Sequence, residues 1–279
     1  MSWEYSEEFY KEYTRETWNA SVEAYEAWVQ ALAPFNEPLL ESLDPQPGER
    51  ILDVASGRGE PAFSLAEAAG VEGQVLGIDL ADEMIAQAQR GAKERGLDNL
   101  RFQVMDAEEM TLEDASFDAV SCRSSLQIMT APEAALAEIA RVLKPGGRFA
   151  ASVWSDPGER SPALHAIMGT MLMYFTPDET GYLPTPYELG GPGTLAEMVE
   201  AAGLKVVGEQ RVVVPLRFED EEAYFRAMLQ GTPVGHSLKE EAEEVQQKVM
   251  EETRQNLARW NKAADGLELD SEAVLVHAV

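Results

Sequence analysis

Three aspartates and two glycines carry the chemistry that can be read from this chain. Asp53 lies inside an apolar run, "RILDVA", four residues before Gly57, and Gly59 follows two residues later in "SGRGEP". A strand that turns into a helix leaves backbone amides and a helix N-terminus at the carboxyl edge of a sheet, and glycines there let a ligand come close. A carboxylate such as Asp53 within an apolar strand is costly unless it has a partner, and a ligand amine is one such partner. Asp79 ends the run "QVLGID", twenty residues beyond Gly59, the spacing at which a carboxylate accepts from ribose hydroxyls. Asp106 ends "LRFQVMD", where it can receive an adenine amino group. Taken singly, each has an equal reading as a turn or cap residue. Ala62 occupies the third position of a G-x-G-x-x-G/A fingerprint, so spacing does not reject a dinucleotide. Asp53, however, would repel a pyrophosphate and welcome an amino-acid head group, which favours an adenosyl amino acid.

The elements that must position these residues follow from the pattern around them. From residue 50 short apolar runs alternate with helical stretches: "RILDVA", "AFSLAEAAG", "QVLGID", "DEMIAQAQRGAKERG", "LRFQVMD", "FDAVSCRS", "PEAALAEIARVLKPGG" and "RFAASVW". This alternation predicts an α/β fold, a parallel sheet with helices on both faces. "KPGG" reads as a helix stop that opens the next strand. Residues 1–46, with Phe9, Tyr13, Tyr25 and Trp28 near helical spacing, predict one or two helices capping the core of 47–155. Residues 156–195, dense in Pro, Gly and Tyr after a Met-rich helical piece, read as an inserted substrate lid. Residues 196–279 complete the sheet through a helix, a strand near "LKVVGEQRVVVPLRF", helices at 219–230 and 237–262 and a terminal strand "EAVLVHAV". Ser237 and Glu240 have the spacing of a capping box.

Composition narrows the partners. Fifty acidic against 22 basic side chains give a net charge of -28, a field that repels nucleic acid and anionic lipid. The excess is mostly Glu scattered over helical stretches such as "KEEAEEVQQKVMEE" and reads first as solvated helix faces, with a salty habitat or an engineered sequence as further accounts. A single cysteine, Cys122, rules out an intrachain disulfide and a multi-cysteine metal site. No cationic leader with an apolar segment and no apolar run of membrane-spanning length is present, so a cytoplasmic protein without membrane insertion or metal is expected.

The runs "ILDVASGRGEP", "VLGIDLADEMIAQAQ", "FQVMDAEEM", "FDAVSCRSSL" and "EIARVLKPGGRFAASVW" resemble the successive motifs of class I S-adenosylmethionine-dependent methyltransferases. The similarity is to the small-molecule branch that includes the ubiquinone and menaquinone C-methyltransferase type, dense over residues 47–155 and looser beyond. It implies a Rossmann-like, seven-stranded, mostly parallel sheet whose last strand inserts antiparallel. It also implies that Asp53, Ala55, Gly57 and Gly59 line the methionine moiety, that Asp79 holds the ribose, and that Leu80 and Met84 flank the adenine. Asp106 and Ala107 would meet the adenine amino edge, and Cys122 and Arg123 would stand beside the cofactor. Ser56 and Arg58 replace the Cys or Thr and the Thr frequent in the family, changes that leave backbone contacts intact. Ser124 and Ser125 replace an aromatic residue and glycine.

The expected activity is in-line transfer of a methyl group from S-adenosylmethionine to a small, apolar or aromatic metabolite, by a monomer or homodimer. A sulfonium donor is already activated, so the protein has mainly to align the acceptor and exclude water. Aromatic faces can assist the cation, and Tyr10, Trp18, Trp154, Tyr174, Phe175, Tyr182 and Tyr187 are the candidates. His165, at the start of the Met-rich helix, is the histidine best placed to act as a general base, with a packing role the equal alternative. Two other classes stay open: a non-catalytic, regulatory S-adenosylmethionine-binding protein, and a nicotinamide dehydrogenase.

Overall fold

The computed structural model describes residues 7–155, 161–171, 173–174, 185–239 and 241–279, without the side chains at 185, 186, 236 and 237. Among them the chain runs α1 Glu7–Ser21, α2 Tyr25–Leu32, α3 Asn36–Leu43, β1 Arg50–Val54, α4 Ala62–Ala69, β2 Gln74–Asp79, α5 Asp82–Arg95, β3 Leu100–Val104, β4 Phe117–Arg123, α6 Pro132–Val142 and β5 Leu143–Trp154. It continues with α7 Pro162–Met171, a helical turn Thr185–Glu188, α8 Thr194–Ala201, β6 Val206–Phe218, α9 Glu221–Gln230, α10 Val234–Lys239, α11 Glu243–Trp260 and β7 Leu267–Ala278.

The sheet has seven strands in the order β3-β2-β1-β4-β5-β7-β6. The first five pair in parallel, and β7 lies antiparallel between β5 and β6. Because both faces are covered, the inner strands are mostly apolar, with successive side chains feeding opposite faces. Ile51 joins Leu39, Leu65 and Ile85 from α3, α4 and α5, whereas its neighbour Leu52 joins Leu136, Ile139 and Val199 from α6 and α8. Local signals set the boundaries of several helices. α5 begins with Asp82 and Glu83, ends near Lys93 and Arg95, and stops at Gly96 with φ 70, an arrangement that suits the helix dipole and a left-handed cap. α9 is capped by Asp220, whose carboxylate accepts from the Ala223 amide at 2.7 Å.

A third core lies outside the two sheet faces. Trp28, Leu32 and Phe35 from the N-terminal segment pack with Ile167 and Met168 of α7, Tyr224 and Met228 of α9, and Leu257 of α11, and with Leu216, Phe218 and Leu269 of the long antiparallel strands. The N-terminal and C-terminal helices therefore form one apolar unit against the end of the sheet that carries Trp154.

Several expectations are adjusted by this arrangement. Three helices, not one or two, precede β1. β5 already includes the "KPGG" run expected to end the helix before it, since Leu143 pairs with Phe117 ahead of a bulge in the register. The helix expected over 237–262 is two helices, α10 and α11, and its capping box at Ser237 and Glu240 lies outside the described side chains. Most of the segment 156–195, with Phe175 and Tyr182, also lies outside the described residues.

Candidate cofactor and acceptor site

The order of strands turns a scattered set of residues into a row. From β3 across to β5, the carboxyl ends place Asp106, Asp79, the turn Ala55–Gly57, Arg123 and Trp154 on the wall of one cavity. Strands are spaced about 4.8 Å apart, so this row extends roughly 20 Å. It straddles β1 and β4, where the direction of chain winding reverses and open α/β sheets bind ligands.

At the centre the turn after β1 is tied to β2. Asp79 accepts the Gly57 amide at 2.8 Å through Oδ2 and the Ala81 amide at 2.9 Å through Oδ1. Burial raises its pKa, and these backbone amides oppose the rise. Gly57 and Ala55 both have positive φ, 52 and 54. A Cβ on Gly57 would meet only the Tyr25 ring, at 3.8 Å, so this backbone lies open to the cavity. Gly59, with φ 111, is pinned from the other side, since a Cβ there would sit 2.2 Å from the Phe63 ring. It belongs to the packing of α4 against the turn and does not line the cavity.

Asp53 and Cys122 also stand behind the wall. Asp53 is fully buried, accepts from Ser121 Oγ of β4 at 2.6 Å through Oδ1, and its Oδ2 has no hydrogen-bond partner. Burial pushes its pKa up to about 7, against the opposing pull of Ser121 and Arg123. The partner expected from a ligand amine is supplied instead by the neighbouring strand. The Cys122 thiol is fully buried, and burial, with the nearby Asp53, holds its pKa well above the thiol range.

At the β3 end, Asp106 Oδ2 takes the Lys11 ammonium at 2.8 Å and Oδ1 accepts the Glu108 amide at 2.8 Å, while Lys11 also meets Glu108 at 2.6 Å. Burial works against the Lys11 charge, yet the two carboxylates outweigh it and raise its pKa. Two further polar ties hold α1 over the cavity: Arg15 to Asp82 at 3.1 Å, and Asn19 to Asp82 at 2.7 Å. Leu80, Met84, Ala107 and Trp18 complete this half.

Beyond Arg123 the wall becomes apolar, with Trp28, Leu32, Trp154, Leu164, Met168 and Met228. Phe35 meets Trp154 edge-on at 5.5 Å and Trp28 stacks on Phe218 at 6.1 Å, so these indoles are held by rings behind them.

The structure brings Ala55, Gly57, Asp79, Leu80, Met84, Asp106, Ala107, Arg123, Trp18 and Trp154 together on the cavity and leaves the other candidates elsewhere. His165 is corrected as a general base: its ring packs on Trp260 with centroids 5.7 Å apart, its Nδ1 is buried without a partner, and burial lowers its pKa. Helical phase explains this, because neighbouring Leu164 and Met168 take the cavity side of α7. Tyr10 packs edge-on against Phe9, the Tyr174 hydroxyl donates to Glu252, and Tyr187 is buried with its hydroxyl 3.4 Å from Met168 Sδ, behind the wall. Tyr182 lies outside the described residues. The aromatic spacing that set packing ahead of a pocket role for Tyr25 and Trp28 understated them, and sequence reasoning missed Lys11 and Met228 as wall residues. Of these two, Lys11 left a signal, as an isolated cation in the acidic run "SEEFYKEY".

Comparison with known proteins agrees with this geometry. A methyltransferase domain model matches residues 45–176. Aklanonic acid methyltransferase DauC of Streptomyces sp. (strain C5) is 38% identical over 142 residues, which cover 50% of this chain and 64% of that protein. Nocamycin O-methyltransferase of Saccharothrix syringae is 31% identical over 204 residues, 70% of this chain and 73% of that protein. The crystal structure of the YcgJ protein of Bacillus subtilis superposes with a TM-score of 0.57 at 22% identity, over 89% of this chain and 97% of that one, which shows a shared fold. With the sheet order, the glycine turn and two strand-end carboxylates on one wall, and an O-methyltransferase matched over nearly three quarters of its length, the chain belongs to the class I S-adenosylmethionine-dependent methyltransferase family.

Proposed function

We propose that this protein transfers a methyl group from S-adenosylmethionine to a small apolar or aromatic acceptor. The observation that carries the reading is a single cavity that joins two strand-end carboxylates and a glycine turn to an apolar chamber walled by Trp28, Trp154 and Met168. The residues present suit the donor: Asp79 is preset by two backbone amides to accept from ribose hydroxyls, Asp106 can accept from the adenine amino group beside Ala107, and Leu80 and Met84 offer apolar faces to the base. Ala55 and Gly57 leave open backbone for the methionine portion, and Ser56 Oγ is a buried polar atom without a partner on the same wall. S-adenosylmethionine, when bound, supplies an activated methyl group, and the chain's part is to orient the acceptor and exclude water. Within the N-terminal segment, α1 and α2 serve as a helical cap over both halves. We place the activity in the cytoplasm, in a monomer or homodimer, away from nucleic acid that a net charge of -28 repels.

Both curated relatives are methyltransferases by name, which supports the reaction class. Isothermal titration with S-adenosylmethionine and S-adenosylhomocysteine, with NADH as control, followed by mass spectrometry of acceptor mixtures, tests it. Binding of the first two alone, with products 14 Da heavier (one added CH2), is the expected result. NADH binding in their place would overturn it.

A further inference from the structure

The row of strand ends leaves one residue with an unusual charge environment. Arg123 closes β4, one strand beyond the glycine turn and one short of Trp154, at the boundary between the two halves of the cavity. It is 9% exposed. Its direct bonds go to neutral oxygens: Nη1 donates to Asn36 Oδ1 at 2.5 Å and Nη2 donates to the Glu60 carbonyl at 3.1 Å. Among the described residues no carboxylate lies within salt-bridge distance of it. Asp53 is within electrostatic range but is engaged by Ser121, and the Glu60 carboxylate is turned to Asn36 and Ser64 at 3.1 Å each through Oε2 and to Arg95 at 3.7 Å through Oε1. Such a guanidinium on a cavity wall, fixed from behind and lacking a bonded counter-ion, is a ready partner for an oxyanion.

The groups that face it lead to the same conclusion. The Tyr25 ring lies against the glycine turn, and its pKa is raised by burial, so the phenol remains a hydrogen-bond donor; Arg123, Arg58 and Asp79 all act on it. Arg58 is a second cation on this wall, already bonded to the Val22 carbonyl and the Glu26 carboxylate, both at 2.8 Å. Among the described residues the lining past Arg123 is apolar apart from hydroxyls, those of Ser124, Ser125, Thr130 and Thr232, and the Glu60 residue on the same wall has its carboxylate held by Asn36 and Ser64. The boundary thus offers charge and donors to an anion.

We infer that the acceptor is an acid, a carboxylic acid or an acidic enol or phenol on an apolar frame, which binds as its conjugate base with its oxyanion on Arg123. This rests on the methyltransferase reading and specifies its substrate class. An oxyanion that attacks the methyl carbon forms one O–C bond while the S–C bond pair passes to sulfur. The negative and positive charges cancel, no proton has to be removed by the protein, and the neutral product loses its hold on the guanidinium.

The carboxylate of the cofactor's methionine portion is the other source of the same chemistry, so the test separates the two. Protein loaded with S-adenosylhomocysteine is titrated with naphthoic acid and naphthamide, and with a hydroxynaphthoquinone and its methyl ether, in wild type, Arg123→Gln and Arg123→Lys. The expected result is that each acid binds about 10- to 100-fold tighter than its neutral partner in wild type, as for a hydrogen bond to a charged group. Arg123→Gln abolishes that preference, Arg123→Lys restores part of it, and both keep the wild-type affinity for S-adenosylhomocysteine. Acids that bind no better than their neutral partners overturn the inference, as does an acid preference that survives in Arg123→Gln. A variant that loses S-adenosylhomocysteine instead assigns the guanidinium to the cofactor carboxylate and also overturns it. Failure of wild type to bind S-adenosylhomocysteine at all would remove the methyltransferase reading itself.

Discussion

Asp79→Ala is the perturbation for which the structure gives the most definite number. Both of its oxygens are engaged by backbone amides, at 2.8 and 2.9 Å, which fixes the carboxylate before any ligand arrives. If two ribose hydroxyls donate to it, the variant loses two bonds to a charged acceptor at about 1.5 kcal/mol or more each. The affinity for S-adenosylhomocysteine should then fall about 100-fold or more. The Gly57 and Ala81 amides also lose their acceptor, which lowers stability by about 1–3 kcal/mol and the melting temperature by roughly 2–8 °C. Isothermal titration gives the first quantity and calorimetry of the free protein gives the second. The discriminating arm uses the 2′-deoxy analogue of S-adenosylhomocysteine, which wild type should bind more weakly than the parent and Asp79→Ala should bind equally. An affinity within about threefold of wild type, or an undiminished preference for the 2′-hydroxyl in the variant, would refute the ribose assignment whatever happens to stability.

The two glycines of the turn should separate in a mutational test: Gly57→Ala meets only a positive φ of 52 and should cost about 1 kcal/mol, whereas Gly59→Ala drives a methyl group into Phe63 and should cost about 3 kcal/mol or more, read by urea melts. Equal losses would show that the turn and not the ring sets the constraint. Asp53 has a folded pKa of about 7 against 3.8 unfolded, so the native state binds the extra proton between those values and stability falls as pH rises through that window. Asp53→Asn removes this dependence, and its stability relative to wild type should improve by up to about 4 kcal/mol between pH 4 and pH 8 in parallel melts; a constant difference would contradict it. Lys11→Met leaves the Asp106 and Glu108 carboxylates without their cation, so hydrogen exchange over Glu7–Ser21 should quicken while α5 is unchanged. Unaltered protection would mean that the packing of Trp18 and Val22 on Met84 holds α1 by itself.

Legibility in the sequence follows the range of the interactions. The alternation of apolar runs and helices specified the β1–β5 half because each strand there carries its own hydrophobic signature and each crossover is local. The glycine turn and the strand-end aspartates were legible for the same reason: their roles are set within a few residues of a strand end, and Asp79 reaches Gly57 only because the two strands are neighbours. Asp53 shows the limit. Its type and place demanded a partner, but whether a ligand or Ser121 would supply it depended on the pairing of β1 with β4, across 68 residues. His165 shows another, since a helix can be read from periodicity while the face it turns to a cavity is decided by its neighbours, here Trp260.

The acceptor half was least legible because no segment owns it. Its wall is taken from α2, β5, α7 and α9, and the helices behind it share one core with the far ends of β6 and β7. Residues such as Trp28 and Met228 read along the chain as ordinary packing positions, and the same stripe that buries a helix lines the chamber where the neighbouring surface falls away. The latch on the cofactor side has the same origin: Lys11 and Asp106 are 95 residues apart, and only docking of α1 makes a surface cation part of the wall. A family signature concentrated at strand ends can therefore report the donor accurately and say little of the acceptor, whose fit depends on how helices from both chain ends meet. Arg123 stands between the two regimes, legible by position at the end of β4 but acquiring its charge environment from Asn36 of α3 and the carbonyl of Glu60. That is why substitutions there, more than at any strand-end aspartate, should separate recognition of the acceptor from recognition of the donor.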